Sequence, residues 1–546
     1  MQLTESAHVD TFCRDRLPPA DAWPELLFDL PELQYPNRLN CAHELLDATI
    51  EQFGADRPCL LGAGGTWTYG ELRDRANQVA NVLTERFGLV PGNRVLLRAP
   101  NNAWLVATWM GVLKAGGVAV LTMPLLRPTE LVTTIELTQP DLAVCDHRFV
   151  ADLQTARDQA AASLPVIPYG SDLDDDLTAL AAAASTDHTD VATAADDVAL
   201  LAPTSGTTGK PKVTMHFHRD VLAIADTFSR HLLKPRSDDV FTTTAPFAFT
   251  FGLGAALVFP LRVGASTLLV ERASPMELAD AIAEHSVTVL FTAPTAYKAM
   301  IAGGKADVLR AVRRAVSAGE HLPAATWRAF HDATGVQIID GIGATEMLHI
   351  FIGAADDDIR PGSTGRAVPG YVATVLDTNG QEAPPGVAGR LAVRGPTGCR
   401  YLADDRQRVY VQDGWNVTGD TYIRDEDGYF WYQARSDDMI VSSGYNIAGP
   451  EVEQALLSHP DVAECAVIGV PDEDRGQLVK AIVVLSDQIS PDDDTARKLQ
   501  DHVKSQIAPY KYPRAVEFRA SLPKTQSGKL QRYRLRQEAA EPAARE

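Results

Sequence analysis

Residues Thr204–Lys212 read TSGTTGKPK and follow directly on the apolar run DVALLAP, residues 197–203. A run that short and that apolar predicts a buried strand. The nine residues after it carry the hydroxyls of Thr204, Ser205, Thr207 and Thr208, the glycines Gly206 and Gly209, and the ammonium groups of Lys210 and Lys212. Backbone N–H groups freed by glycine, hydroxyl donors and a fixed positive charge together suit a polyphosphate. The spacing is not that of a P-loop NTPase: Gly206 and Gly209 lie too close together, and Lys210 is followed by Pro211. A Gly/Ser/Thr linker has a similar composition, so the rest of the chain decides between linker and phosphate loop.

The chain has 546 residues, a formal charge of −21 and 45% hydrophobic residues. That length calls for two or more domains. The acidic balance speaks against nucleic acid or an anionic membrane as partner. Cys13, Cys41, Cys59, Cys145, Cys399 and Cys465 show neither CxxC nor CxxH spacing, so they read as reduced and mostly buried rather than as a zinc site or a disulfide framework. The first residues lack a basic-then-apolar signal, and the apolar run near Trp104–Leu113 is too short to span a bilayer. A cytoplasmic protein without a membrane anchor is expected.

Apolar runs such as GNRVLLRAP and GGVAVLTMP alternate with helical patterns such as YGELRDRANQVANVLTERFG, which predicts an α/β domain with a largely parallel sheet. Beyond Gly380 the segments shorten, and GRLAVRG, GYFWYQAR and DDMIVSSG read as β-structure joined by tight turns. After residues 435–438, the helical GPEVEQALLSHP and the strand-like AECAVIGV and LVKAIVVL predict a small α+β domain of roughly one hundred residues.

Five stretches, in order, resemble the superfamily of acyl- and aryl-CoA synthetases, peptide-synthetase adenylation domains and luciferases. TSGTTGKPK is similar to its phosphate loop, and GIGATE (341–346) to its second nucleotide motif. TGD (418–420) is similar to its ribose motif, RSDDMIVSSGYNI (from 435) to its interdomain hinge, and LPKTQSGKLQR (522–532) to its C-terminal catalytic loop. The longer stretches DGIGATEMLHIF and GSTGRAVPGY resemble the benzoate-CoA ligase branch. The N-terminal LPPADAWPELLFDLPELQYPNRLNCAHELLD and TMHFHRDVLA resemble its 2-aminobenzoate-CoA ligase group. The resemblance implies a large, multi-subdomain adenylating domain over residues 1–436 and a smaller, mobile α+β domain over 437–546.

It also implies roles. Thr204, Ser205, Thr207, Thr208 and Lys212 are expected to grip the β- and γ-phosphates of ATP, with Gly206 and Gly209 letting the loop close; Val213 stands where relatives usually have glycine. Gly341, Ile342 and Thr345 belong to the nucleotide site, with Thr345 at the α-phosphate and Ile342 where many relatives stack an aromatic on adenine. Glu346 is the expected Mg²⁺ ligand, since that hard ion favours carboxylate, phosphate and water oxygens. Asp420 is expected on the ribose hydroxyls, Arg435 beside them, and Lys529 as the catalytic cation with Thr345 and Glu346. Asp437 is the expected hinge, and Ser443, Gly444 and Tyr445 the CoA tunnel.

For the acid, PFAFTFGLG (246–254) matches the acyl-pocket segment, with Phe249 at the gate and Thr250 beside it; Ala318, Gly319, Gly343, His349 and Ile350 complete the pocket by position. Phenylalanines spaced by small residues suit a flat ring, although each is equally at home in a core. No acidic partner for an amino-acid ammonium occurs between Pro246 and Gly254, which disfavours a peptide-synthetase module. The expected activity is ATP-dependent ligation of an aromatic acid to coenzyme A: benzoate, 2-aminobenzoate, or a larger substituted or bicyclic acid such as a naphthoate. The alternatives are a stand-alone enzyme loading an aryl group onto a carrier protein and a silent nucleotide-binding protein. A monomer or homodimer, with an acyl-transferring enzyme downstream, completes the expectation.

Overall fold

The structure is a computed structural model and describes residues 3–171, 173–204, 211–435, 438–442, 445–472, 475–487, 489–507, 509–524 and 530–540. Among the described residues the strands form four sheets. One has six strands in the order Val166–Tyr169, Leu142–Asp146, Arg94–Arg98, Val118–Thr122, Val198–Thr204, Lys212–Phe217. All its pairs are parallel except the last. Arg94–Arg98 and Val118–Thr122 are buried along their whole length, as strands covered on both faces must be, so they lack alternation. The crossover between them is the helix Ala103–Lys114, started by Asn102, whose side chain accepts from the Leu105 N–H. The helix Tyr69–Asn81 begins with a reciprocal cap between Thr68 and Glu71.

A second, nine-stranded sheet holds the elements that position the site. Its interior runs Ile338–Gly343, Arg314–Ser317, Val289–Thr292, Val240–Thr243, Ser266–Leu268, Pro58–Leu61, all parallel. The sequence pattern predicts one largely parallel sheet; the structure has two. Both share the same apolar run length and helix spacing, and which strand bonds to which is a long-range matter that local pattern does not encode. At one end Ile338–Gly343 pairs antiparallel with Ile350–Gly353. That reversal leaves residues 344–349 as a turn at the carboxyl edge of the parallel strands, where ligand sites of open α/β sheets gather.

A third, antiparallel sheet carries Val372–Leu376, Ala388–Arg394, Trp415–Arg424, Val411–Gln412 and Phe430–Arg435. The fourth, Tyr445–Ala448, Met439–Ser442, Gly476–Leu485, Val462–Asp472 and Ala515–Phe518, packs with the helices Gly449–Leu457 and Asp493–Gln506. Its core of Ile440, Ile447, Val452, Leu456, Val467, Val479, Leu499 and Val503 is separate from that of the large sheets. The fold is therefore α/β, with a large N-terminal domain and a smaller α+β C-terminal one. All six cysteines are free and buried. No described helix is long and apolar enough to cross a membrane.

Candidate active site

The strands Val198–Thr204 and Lys212–Phe217 pair antiparallel with Thr204 opposite Lys212. The phosphate-loop sequence thus closes a hairpin, and Ser205, Gly206, Thr207, Thr208, Gly209 and Lys210 lie outside the described residues. At the mouth of the hairpin Lys212 Nζ stands 2.9 Å from Glu346 Oε1, bringing the first two nucleotide motifs into one ion pair. Tyr401 joins them: its hydroxyl donates to Glu346 Oε1 and accepts from Lys212 Nζ. The ammonium also lies 4.3 Å from the centre of the Tyr401 ring, a favourable place for a cation. Burial, then the negative charge of Glu346, push the Tyr401 phenol well above its ordinary value, so it remains a donor. Thr204 Oγ1 is buried without a hydrogen-bond partner among the described residues.

Backbone pairing fixes Tyr401 in place. Met215 N donates to Arg400 O at 2.7 Å, Leu402 N to Val213 O at 2.9 Å, and Tyr401 N to the Gln407 side chain at 2.8 Å. Residues 400–402 thereby extend the edge beside Lys212–Phe217. Val213, the departure from glycine, is buried in a cluster with Met215, Val118, Val120 and Leu402; its side chain fills core.

Thr345–Met347 form a single 3₁₀ turn, and Leu348 follows with φ +68° and ψ −34°. A bulky residue with positive φ is rare and strained; Leu348 is fully buried and held there by its packing. Across this joint the chain sends two side chains into opposite environments. Glu346 meets Lys212 and Tyr401. His349, 2% exposed, sits among the rings of Phe259, Phe228, Phe251 and Phe291 at centroid distances of 4.6, 5.5, 5.7 and 6.4 Å. Among the described residues neither His349 nitrogen has a well-formed hydrogen bond. Burial lowers its pKa to about 3, opposed only weakly by the Phe251 backbone, so the imidazole is neutral at physiological pH.

The other predicted acid-pocket residues follow neighbouring parallel strands at the same edge: Phe249 and Thr250 after Val240–Thr243, Ala318 and Gly319 after Arg314–Ser317, Gly343 at the end of Ile338–Gly343. Phe249 is 38% exposed and Phe247 only 2%; the second is core. Phe251, between Phe249 and Gly254, is the member of the segment that stacks on His349. Gly254 makes room for that imidazole, because a Cβ there would come within 2.7 Å of Nε2. Ile350 is buried and covers Gly341, whose added Cβ would meet its side chain at 2.8 Å.

Of the residues predicted to meet the nucleoside, Ile342 is half-buried against the main core. Asp420 and Arg435 are directly opposite each other in the register of their strands; the Arg435 side chain lies outside the described residues. Asp340 Oδ1 is buried without a partner among the described residues, and burial raises its carboxyl well above the usual range. Gly319 has φ +88°, and just beyond it His321 stacks on Tyr432 at 5.4 Å. Asp437, Ser443, Gly444, Lys529 and the Tyr445 side chain lie outside the described residues. Next to them, Asp438 receives Arg536 from the helix Arg532–Ala540. Elsewhere, His43, Asp47 and Asp190 come close enough to suggest a metal, but the Lys114 ammonium fills the cluster, 2.9 Å from Asp190.

Three features escape the sequence reading. Tyr401 stands in GCRYLAD, which has no informative spacing. Asp340 directly precedes the second motif but differs from it in no visible way. Phe228, Phe259 and Phe291 come from two helices and a strand whose patterns read as ordinary core.

Residues 46–401 match the AMP-binding enzyme family and residues 451–529 the AMP-binding enzyme C-terminal domain. A benzoate–CoA ligase of Thauera aromatica is 34% identical, over 93% of this chain and 97% of its own. The crystal structure of the anthranilate CoA ligase AuaEII in complex with anthranoyl-AMP superposes with a TM-score of 0.88 at 34% identity, covering 93% of this chain and 99% of that one. A benzoate CoA ligase from Burkholderia xenovorans LB400 does so with a TM-score of 0.82 at 33% identity, covering 91% and 100%. With both family regions matched in order and relatives alike along nearly their whole length, the chain belongs to the AMP-binding enzymes, as an AMP-forming acid–thiol ligase of the branch that holds the benzoate- and aminobenzoate-CoA ligases.

Proposed function

We propose that the protein joins a single-ring aromatic acid, benzoate or an ortho-substituted benzoate such as 2-aminobenzoate, to coenzyme A through an acyl-adenylate. One observation carries this reading: a single turn separates Glu346, ion-paired with the phosphate-loop lysine, from His349, enclosed by four phenylalanine rings. A phosphate-binding pole and an aryl-binding pole three residues apart suit an acid whose carboxylate must meet the α-phosphorus of ATP.

In the first half-reaction a carboxylate oxygen of the acid attacks the α-phosphorus and the bond to the β-phosphate oxygen breaks, releasing pyrophosphate. Lys212 and the hydroxyls of the loop neutralise the departing phosphates, and Lys529 bridges the attacking carboxylate and the α-phosphate where charge accumulates. The donor set at Glu346 fits Mg²⁺, which binds through one or two carboxylates plus phosphate and water oxygens; when bound it would neutralise phosphate charge. In the second half-reaction the CoA thiolate attacks the acyl carbon, the acyl–oxygen bond breaks and AMP leaves. The small domain, 437–546, turns about Asp437 between the two, bringing Ser443, Gly444 and Tyr445 to the pantetheine. Asp420 and Arg435 hold the ribose, and the enzyme works in the cytoplasm.

The ring environment supports the acid class. A flat ring between Phe251 and the small residues Ala318, Gly319 and Gly343 gains aromatic packing of about 0.5–1.5 kcal/mol per pair. His349, neutral, offers a nitrogen that accepts from an ortho amino or hydroxyl group. The test is incubation with Mg-ATP, with and without CoA, across benzoate, 2-aminobenzoate, salicylate, a hydroxynaphthoate and octanoate, with pyrophosphate and thioester followed by mass. Thioester formed only with CoA and only from aromatic acids is expected. Pyrophosphate without thioester would point to a carrier protein as acceptor.

A further inference from the structure

We propose that Tyr401 is a positioning residue for nucleotide and metal: it holds Lys212 and Glu346 in register, so that one charge is presented to phosphate and the other to the cation. The inference rests on the reading above and extends it to a residue outside the five sequence motifs. Its ground is geometric. The Tyr401 hydroxyl touches both charged groups at once, donating to Glu346 Oε1 and accepting from Lys212 Nζ. The two are themselves 2.9 Å apart. Among the described residues Glu346 is held through Oε1 alone, leaving the other carboxylate edge to ligate.

The anchoring of Tyr401 is independent of the pair it serves. Its N–H is taken by Gln407 Oε1 at 2.8 Å, and the Gln407 amide donates to Cys399 O at 3.0 Å and Ala22 O at 2.8 Å. Its ring meets Tyr410 edge-on at 5.8 Å, and the whole residue is 1% exposed. A buried phenol so fixed has no freedom to follow Lys212 when the ammonium swings to a phosphate. It keeps its hydrogen bond to Glu346, and the carboxylate stays aimed while the lysine moves. An unanchored carboxylate beside an incoming polyphosphate would instead turn away from like charge.

Outer partners that orient a metal-holding carboxylate typically cost 10–100-fold in metal affinity when removed. The test is Tyr401→Phe, which keeps the ring packing and deletes only the hydroxyl. ATP binding is measured by calorimetry in Mg²⁺ and again in EDTA, alongside kinetics. The expected result is about 10-fold weaker ATP binding in Mg²⁺ with little change in EDTA, a matching rise in KM for MgATP, an unchanged KM for the aromatic acid and an unchanged melting temperature. Equal affinity of variant and wild type in Mg²⁺ overturns the proposal. So does a uniform fall in kcat, both KM values and melting temperature, which marks Tyr401 as packing alone. If the wild type binds MgATP yet turns over no aromatic acid, it is the acid assignment that fails, and the Tyr401 comparison in Mg²⁺ and EDTA still decides this inference.

Discussion

The two ends of the turn at residues 345–349 differ in what holds them. On the proposed phosphate end, among the described residues, Lys212 and Glu346 are paired and Tyr401 bonds to both, and the pair is partly open to solvent. On the proposed aryl end His349 is enclosed by phenylalanine rings, with neither nitrogen well bonded among the described residues. Charge is kept ready at one pole and shape at the other. On the proposed function, the difference teaches that the two recognition problems are separated within a few residues of chain, and perturbations at one pole should leave the other largely intact.

The largest expected break falls on the phosphate pole. Lys529→Ala should lower adenylate formation by about 10²–10³-fold while sparing thioester formation from supplied acyl-adenylate; equal loss in both half-reactions contradicts its role. Asp437→Pro should show the complementary split, with pyrophosphate released and CoA transfer lost, and a stopped-flow assay of each half-reaction separates the two variants. At the aryl pole, Gly254→Ala places a methyl against His349. Such overpacking typically costs 1–3 kcal/mol, and we expect KM for the aromatic acid to rise about tenfold or more while KM for ATP stays within about twofold. A parallel rise in both would erase the separation argued above.

The smallest effect is one of acidity. His216, His218 and His349 are each lowered to about 3 from 6.5, burial being the first cause. Between those values the unfolded chain binds more protons than the folded one, so stability rises with pH across that window and is lost as pH falls below about 6.5. Each such histidine contributes a slope of up to about 1.4 kcal/mol per pH unit. Thermal unfolding of His349→Phe, which keeps the cage apolar, should fall less steeply than wild type between pH 6.5 and 5; parallel curves would mean that His349 has the same pKa in the folded and the unfolded chain.

Legibility in the sequence follows the same division. Lys212 and Glu346, which the structure pairs, stood out in the sequence because each lies in a short, ordered stretch that resembles a nucleotide motif, and phosphate loops need contiguous glycines and hydroxyls to present backbone donors. The strands and helices around them were readable from apolar period and caps, such as Thr68–Glu71. The aromatic cage was not: Phe228, Phe259 and Phe291 lie on separate elements, and a ring that lines a pocket has the same local pattern as one that fills a core. Tyr401 was hidden for a related reason, since a single tyrosine in an irregular edge acquires meaning only when pairing of residues 400–402 with Lys212–Phe217 sets it beside Lys212. The division of parallel strands between two sheets is a fact of long-range pairing and had no local signature.

The left-handed Leu348 bears on how this scaffold can change its diet. With so few residues linking Glu346 to His349, and one of them locked in a conformation that tolerates no slack, the proposed function gears the floor of the acid pocket to the phosphate machinery; lengthening or shortening it would misalign both. Variation is freer in the walls, residues 244–254 and 318–321, which hang from their own strand ends. Retargeting to a bulkier or a linear acid, by evolution or by engineering, should therefore be sought by resurfacing those walls while the stretch from Thr345 to His349 is inherited unaltered.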